Sequence, residues 1–250
     1  MYRFFTEPQQ IFEDVHKAVI LGEDVNHIKN VLRMKPGEEI SLMVPGNSTE
    51  YRCAVKELRD DAVECELLFI KESDVELPSD ITLYQALPKS DKMELIIQKA
   101  VELGASRIVP VAAKRSVVKI SGGKEDKKIT RWMGISEAAA KQSKRGIVPE
   151  VSAVMTFGQA VSDASKCDVK IIPYELSDPA GMDKTRELID AIKPGESIAV
   201  FIGPEGGFSD EEIEKAISVG IVPITLGRRI LRTETAGLTV LSWLALKLER

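Results

Sequence analysis

The chain has only two histidines, His16 and His27, both near its start, and three cysteines, Cys53, Cys65 and Cys167, far apart. Hydrolysis by a Ser-His-Asp triad and metal centres built on clustered imidazoles or thiolates are therefore poorly supported. An odd number of thiols without a CxxC pair makes neither a disulfide framework nor a zinc pattern, so the cysteines read as free and buried and no metal is expected. No apolar run nears the roughly 18 residues of a membrane span. The opening stretch MYRFFTEPQQ has one basic residue and no signal-peptide core. These absences point to a cytoplasmic protein that makes no membrane contact. Internal repeats and low-complexity tracts are lacking too.

What is present is an ordinary globular balance of 250 residues, 44% hydrophobic and 29% charged. The net charge of −5 is unevenly spread: residues 80–150 hold 14 Lys/Arg against 8 Asp/Glu, while residues 1–75 hold 9 against 15 and 151–250 hold 11 against 15. Between 114 and 145, a span that includes KRSVVK, KEDKK and KQSKR, ten basic residues face three acidic ones. A charge run is usually a solvated face, but in an otherwise acidic chain this concentration suits several phosphate contacts.

Residues 1–75 read as strands with one short helix, since GEEISLMV, STEYRCAVKEL and AVECELLFI are β-rich runs parted by PGN and RDD. A small β-barrel fits, with a boundary at VELPSD. Residues 76–250 alternate strand and helix patterns, which implies an α/β domain with a mostly parallel sheet. The helix of DKMELIIQKAVELG carries Asp91 and Glu94 as a capping box and Gly104 as its stop.

Two turns stand out. The first, in FIGPEGGFSDEEIEKA, follows a buried-type strand and precedes a helix fixed by the Ser209/Glu212 capping box and the Phe208/Ile213 staple. A glycine turn there suits a phosphate cradle, a purely structural bend, or a neutral or cationic ligand held by backbone groups. Glu205, Asp210, Glu211 and Glu212 oppose the first reading, and the turn contains neither lysine nor arginine. The second turn, LGRRILRTETAGL, also follows a strand, carries Arg228, Arg229 and Arg232, and has Thr233 as its expected helix N-cap. Two such turns some 20 residues apart suggest one shared pocket. The last helix is apolar almost all round, from Leu238 through Trp243 to Leu248, which favours a homodimer contact.

KxDKMELIIQKxxELG, RSVVK, EAAAKQSKR…P, GPEGGFS and LGxRILRTETA, in this order, resemble the ribosomal RNA small subunit methyltransferase E family over nearly the whole chain. The resemblance implies a PUA-like β-barrel, a SPOUT-type α/β domain with a C-terminal trefoil knot, a homodimer, and methylation of a uridine N3 in 16S rRNA with S-adenosylmethionine. By the same resemblance the cofactor site takes Leu176, Ile202, Gly203, Pro204, Glu205, Gly206 and Gly207 from one side. Leu226, Gly227, Ile230, Leu231, Arg232, Thr233, Thr235 and Ala236 form the other. Arg228 stands where the family motif has proline, and Lys141 where it more often has glutamate.

Methylating N3 requires removal of its proton and stabilisation of the charge spreading onto the uracil oxygens. Arg232 suits the second task; Glu234 or Glu205 suits the first as proton acceptor or orienting group. Their bland readings are a phosphate contact or salt bridge for Arg232 and helix-dipole complementation for Glu234. Candidate RNA contacts are Arg3 and Arg33 in the barrel and Lys89, Lys92, Arg115, Lys119, Gln142 and Arg145 in the basic middle. The RNA partner is ribosomal RNA or the assembled small subunit. The rivals are a non-catalytic RNA-binding protein and a related SPOUT enzyme acting on another RNA or position.

Overall fold

A computed structural model describes residues 1–47, 49–72, 75–117, 123–174 and 181–249, and the chain divides into two compact units. The first comprises Met1–Glu76 with Ala140–Val148; the second comprises Leu77–Ala139 with Pro149–Arg250.

In the first unit β1 (Tyr2–Phe5), β2 (Ile11–Phe12), β3 (Lys17–Leu21), β4 (Glu39–Met43), β5 (Thr49–Leu58) and β6 (Ala62–Glu72) form one sheet, ordered β1-β4-β5-β6-β3-β2. The short helix α1 (Glu23–Asn26) follows β3. Alternation along β5 and β6 turns Cys53, Val55, Val63, Cys65 and Leu67 inward onto Ile20, Ile28, Ile40 and Leu42. Burial pushes the Cys53 and Cys65 thiols up to about 12, so they pack rather than react. Cys167, expected buried, is half-buried.

Sequence patterning finds β4 to β6 but not β1 to β3, which are short and broken by 3-10 turns at Pro8–Gln10 and Glu13–Val15. The segment 140–148 belongs to the first unit, although sequence reasoning puts it in the second domain. Its anchor is Arg145, buried against Glu76 at 2.7 Å. The other Glu76 oxygen accepts the amides of Gly146 and Ile147 at 3.0 and 3.1 Å.

Among the described residues of the second unit every strand pairing is parallel. The strands are β7 (Ile81–Ala86), β8 (Arg107–Ala112), β9 (Glu150–Val151), β10 (Met155–Thr156), β11 (Val169–Pro173), β12 (Ile198–Ile202) and β13 (Val222–Ile224). Their order is β10-β8-β7-β12-β11-β13, with β9 paired to β8. The helices are α2 (Lys92–Glu102), α3 (Gly123–Ser143), α4 (Phe157–Ala164), α5 (Gly181–Ala191), α6 (Asp210–Ser218) and α7 (Thr233–Leu248). A sheet covered on both faces selects unbroken apolar strands. All five residues of β12 are accordingly buried, and Phe201 stacks on Tyr84 of β7 with ring centroids 4.5 Å apart.

The expected Asp91/Glu94 capping box does not form. An N-cap needs extended backbone, but Asp91 lies at φ −89°, ψ 11°, and Glu94 instead pairs with Arg131 at 2.8 Å. Helix α4, unforeseen in the sequence, is capped by Thr156 and Gln159.

Candidate active site

The sheet places both unusual turns at one edge. The chain leaves β7 for β8 on one side and β12 for β13 on the other, so the carboxyl ends of neighbouring β7 and β12 flank the crevice where open α/β sheets bind ligands. After β12, the Gly207 amide donates to Pro204 O at 2.9 Å and closes a tight turn, with Gly207 at φ +66°. A Cβ on Gly203 would lie 3.2 Å from Gly207 Cα and Phe208 N, so the turn folds back on itself too closely for a side chain there. Helix α6 then starts as expected. The Ser209 amide donates to Glu212 Oε2 at 2.9 Å, the Glu212 amide to Ser209 Oγ at 3.3 Å, and Phe208 and Ile213 are buried as a staple.

The second turn ends differently from expectation. Arg232, extended at φ −66°, ψ 153°, is the N-cap of α7, and Thr233 is its first helical residue. The Thr233 hydroxyl does not cap the helix; it donates to Gly203 O at 2.6 Å, joining the second turn to the first. It also accepts from Gln85 Nε2 at 2.9 Å, and the same nitrogen donates to Ala86 O at 2.9 Å. A second tie is electrostatic: Lys92 Nζ lies 3.1 Å from Glu205 Oε1 and 3.3 Å from Glu234 Oε2.

Glu205 also accepts the Lys89 amide at 3.1 Å. Burial would raise its carboxyl, but backbone donors and the Lys92 ammonium outweigh that and hold it below the usual carboxylate range.

The loop after β8 clasps the first turn from another direction. Arg115 donates to Gly206 O and Phe208 O, both at 3.1 Å. Lys114 pairs with Glu211 at 2.8 Å, and its amide donates to Glu212 Oε1 at 2.8 Å. This corrects the electrostatic reading of the sequence. The turn has no cation of its own, but the fold brings Lys92, Lys114 and Arg115 to it, and Glu205, Glu211 and Glu212 are each satisfied by protein groups. A surplus of negative charge therefore does not define the site; backbone groups and the tie between the turns do.

The remaining candidates separate cleanly. Ile202 is buried at the strand end, Pro204 is buried in the turn, and Leu226, Gly227, Leu231 and Ala236 are half-buried in the second turn and helix start. Thr235 is exposed, and Ile230 is 89% exposed. Arg232 is exposed and has no ion pair among the described residues. Leu176 and Lys119 lie outside the described residues.

Of the RNA candidates, Arg33, Lys89 and Gln142 are exposed. Arg3 is buried against Glu50 at 2.8 Å and Arg145 against Glu76, so neither guanidinium is presented to solvent. Sequence reasoning missed Gln85, whose signal is the one amide side chain inside the strand-like run ITLYQAL. Among the described residues no group of His, Cys, Asp or Glu is arranged to hold a metal ion, and no helix is long and apolar enough to cross a membrane.

Comparison with known proteins matches this architecture. The description "RNA methyltransferase domain" fits residues 75–245, and "RNA methyltransferase PUA domain" fits residues 20–68. The chain is 37% identical over 251 residues to the ribosomal RNA small subunit methyltransferase E of Bacillus subtilis, covering 100% of this chain and 98% of the relative. It superposes with a TM-score of 0.81 and 32% identity on the corresponding Neisseria gonorrhoeae enzyme bound to S-adenosyl methionine, covering 97% of this chain and 96% of that one. A putative methyltransferase of Legionella pneumophila with bound S-adenosyl methionine gives 0.83 and 33%, covering 98% and 97%. The chain belongs to the ribosomal RNA small subunit methyltransferase E family.

Proposed function

We propose that this chain methylates N3 of a uridine in 16S ribosomal RNA, with S-adenosylmethionine held between the Gly203–Gly207 and Leu226–Ala236 turns. The observation that carries the reading is the direct tie between the turns, Thr233 to Gly203 O at 2.6 Å, at the sheet's ligand-binding edge. The residues fit such a cofactor: two glycine-bearing turns line the site with backbone, while Lys92, Lys114 and Arg115 beside the first turn are engaged by carboxylates and carbonyls and do not form a phosphate site there. When bound, S-adenosylmethionine supplies an activated methyl group on a sulfonium.

The chain's own residues have three tasks. The two turns orient the donor relative to the base and exclude water. Arg232, exposed and without an ion-pair partner among the described residues at the start of α7, stabilises the charge spreading onto the uracil oxygens. Glu234, two residues on, takes the N3 proton. Glu205 suits that role less, because the Lys89 amide and the Lys92 ammonium both engage its Oε1.

RNA contacts are assigned to the exposed Arg33, Lys89 and Gln142, with ribosomal RNA or the assembled small subunit as partner and the cytoplasm as location. The division into a PUA-like domain over residues 1–75 and a SPOUT-type methyltransferase domain over 76–250 belongs to the same reading, as does a C-terminal trefoil knot. A closed first barrel is supported by the chain itself. Edge strands β1 and β2 are joined by residues 6–10 alone, a reach of ~20 Å, against ~24 Å across a flat six-stranded sheet. A homodimer is supported by α7, where Leu246 is 82% exposed beside the half-buried Trp243 in a groove that also includes Met182 and Ile189.

The deciding experiment is mass-spectrometric mapping of methylated uridines in 16S RNA with and without the gene in its host. Loss of one N3-methyluridine that the purified chain restores in vitro supports the reading. An unchanged map refutes it.

A further inference from the structure

Gln85 is fully buried in β7, and its sequence neighbours Leu83, Tyr84, Ala86 and Leu87 are all apolar or aromatic and buried. Its amide nitrogen spends both protons, one on Ala86 O and one on Thr233 Oγ1, so the Thr233 hydroxyl proton is free to go to Gly203 O. The relay runs in one direction, from β7 through the first residue of α7 to the first carbonyl of the glycine turn. Its far end is left unsatisfied: Gln85 Oε1 is buried without a hydrogen bond among the described residues and faces the α7 backbone, where a Cβ on Gly237 would lie 3.7 Å away. A strand needing only bulk would hold an apolar residue here and leave no orphaned oxygen.

We propose that Gln85 is a positioning residue for methyl transfer, fixing the separation of the two turns through Thr233 without touching donor or RNA. The inference rests on the donor site proposed above. Because Gln85 has no exposed atoms, any effect of replacing it on donor binding must pass through the turns.

The test is Gln85→Met, which keeps length and bulk but cannot donate, alongside Thr233→Val, Thr233→Ser and the double variant Gln85→Met/Thr233→Val. Donor affinity is measured by calorimetry, with kcat, donor KM and thermal midpoint followed in parallel. Gln85→Met is expected to raise the donor Kd and KM by about tenfold while kcat at saturating donor changes less than about twofold. Its thermal midpoint holds or rises, since the orphaned oxygen is gone.

The double variant is expected to bind no worse than the weaker single variant, because both break one chain. Thr233→Ser, which keeps the hydroxyl, restores binding. If Gln85→Met does not fold, the contrast between Thr233→Val and Thr233→Ser decides. Wild-type affinity in Gln85→Met, additive losses in the double variant, or equal binding by Thr233→Val and Thr233→Ser overturn the proposal. Failure of the unmodified chain to bind S-adenosylmethionine sinks the donor-site reading itself, a distinct result.

Discussion

Replacing Gly203 by alanine isolates the shape of the first turn from its chemistry. The new methyl would sit 3.2 Å from Gly207 Cα and Phe208 N and 3.3 Å from Gly207 C. Carbon pairs are comfortable at about 3.5–4.0 Å, so three backbone atoms are pressed at once and no rotamer change relieves them. Phe208 cannot yield easily, since its ring packs on Phe157 with centroids 5.1 Å apart. The displacement must therefore fall on Glu205 to Gly207, the part assigned to the donor.

Overpacking of this kind costs about 1–3 kcal/mol. If about 1–2 kcal/mol of that opposes the donor-competent turn, affinity falls roughly 5- to 30-fold. Gly134→Ala is the control: on the exposed face of α3 its Cβ would meet nothing within 4 Å, and the variant should bind within about twofold of wild type. Calorimetric titration of both variants with S-adenosylmethionine reads the difference. Wild-type affinity in Gly203→Ala, or equal losses in both, would refute the assignment of this turn.

Arg232→Ala should slow single-turnover methylation at saturating RNA and donor by about 10²–10³-fold, and an unchanged rate removes Arg232 from the chemical step. Arg33→Ala should weaken RNA binding without lowering the thermal midpoint, whereas Arg145→Ala, stripping a buried partner from Glu76, should cost about 3–5 kcal/mol of stability; the reverse pattern contradicts the division drawn between these arginines. Methylation of RNA should fall steeply with salt while donor binding hardly changes, and equal sensitivity of the two would show that phosphate contacts do not dominate RNA capture. Burial alone would raise the Glu50 carboxyl, but the Arg3 and Lys71 charges beside it hold it below its ordinary 4.5. A depressed carboxyl stabilises the fold above its unfolded value, and the benefit is lost as pH falls through the lower folded value. Acid unfolding followed by circular dichroism should therefore steepen below about pH 4.5 and flatten in Glu50→Gln.

The α/β class was legible because a sheet covered on both faces demands apolar runs such as SIAVFI, and Ser209 with Glu212 fixed the start of α6 from sequence alone. Thr156 and Gln159 offered the same cue for α4 and could have been read. Asp91 and Glu94 match the capping pattern equally well, yet tertiary structure overrides it by drawing Glu94 to Arg131. Thr233 is a second such case. It stands one residue past the cap, not at it as the sequence suggested, its hydroxyl serves a distant carbonyl, and nothing local foretells a partner 30 residues away.

The long-range charges were the least legible part. Lys92, Lys114 and Arg115 lie far in sequence from the carboxylates and carbonyls they meet. The buried Arg3 and Arg145 look, as letters, no different from the exposed Arg33. Charge runs report composition, whereas pairing depends on the fold.

The account's central claim is that both turns clasp one methyl donor. Hydrogen exchange read by mass spectrometry, with and without saturating S-adenosylmethionine, tests it most directly. The prediction is slowed exchange confined to amides of 203–208 and 226–236, with the first unit unchanged. Protection of only one turn, or protection centred elsewhere in the chain, would contradict it.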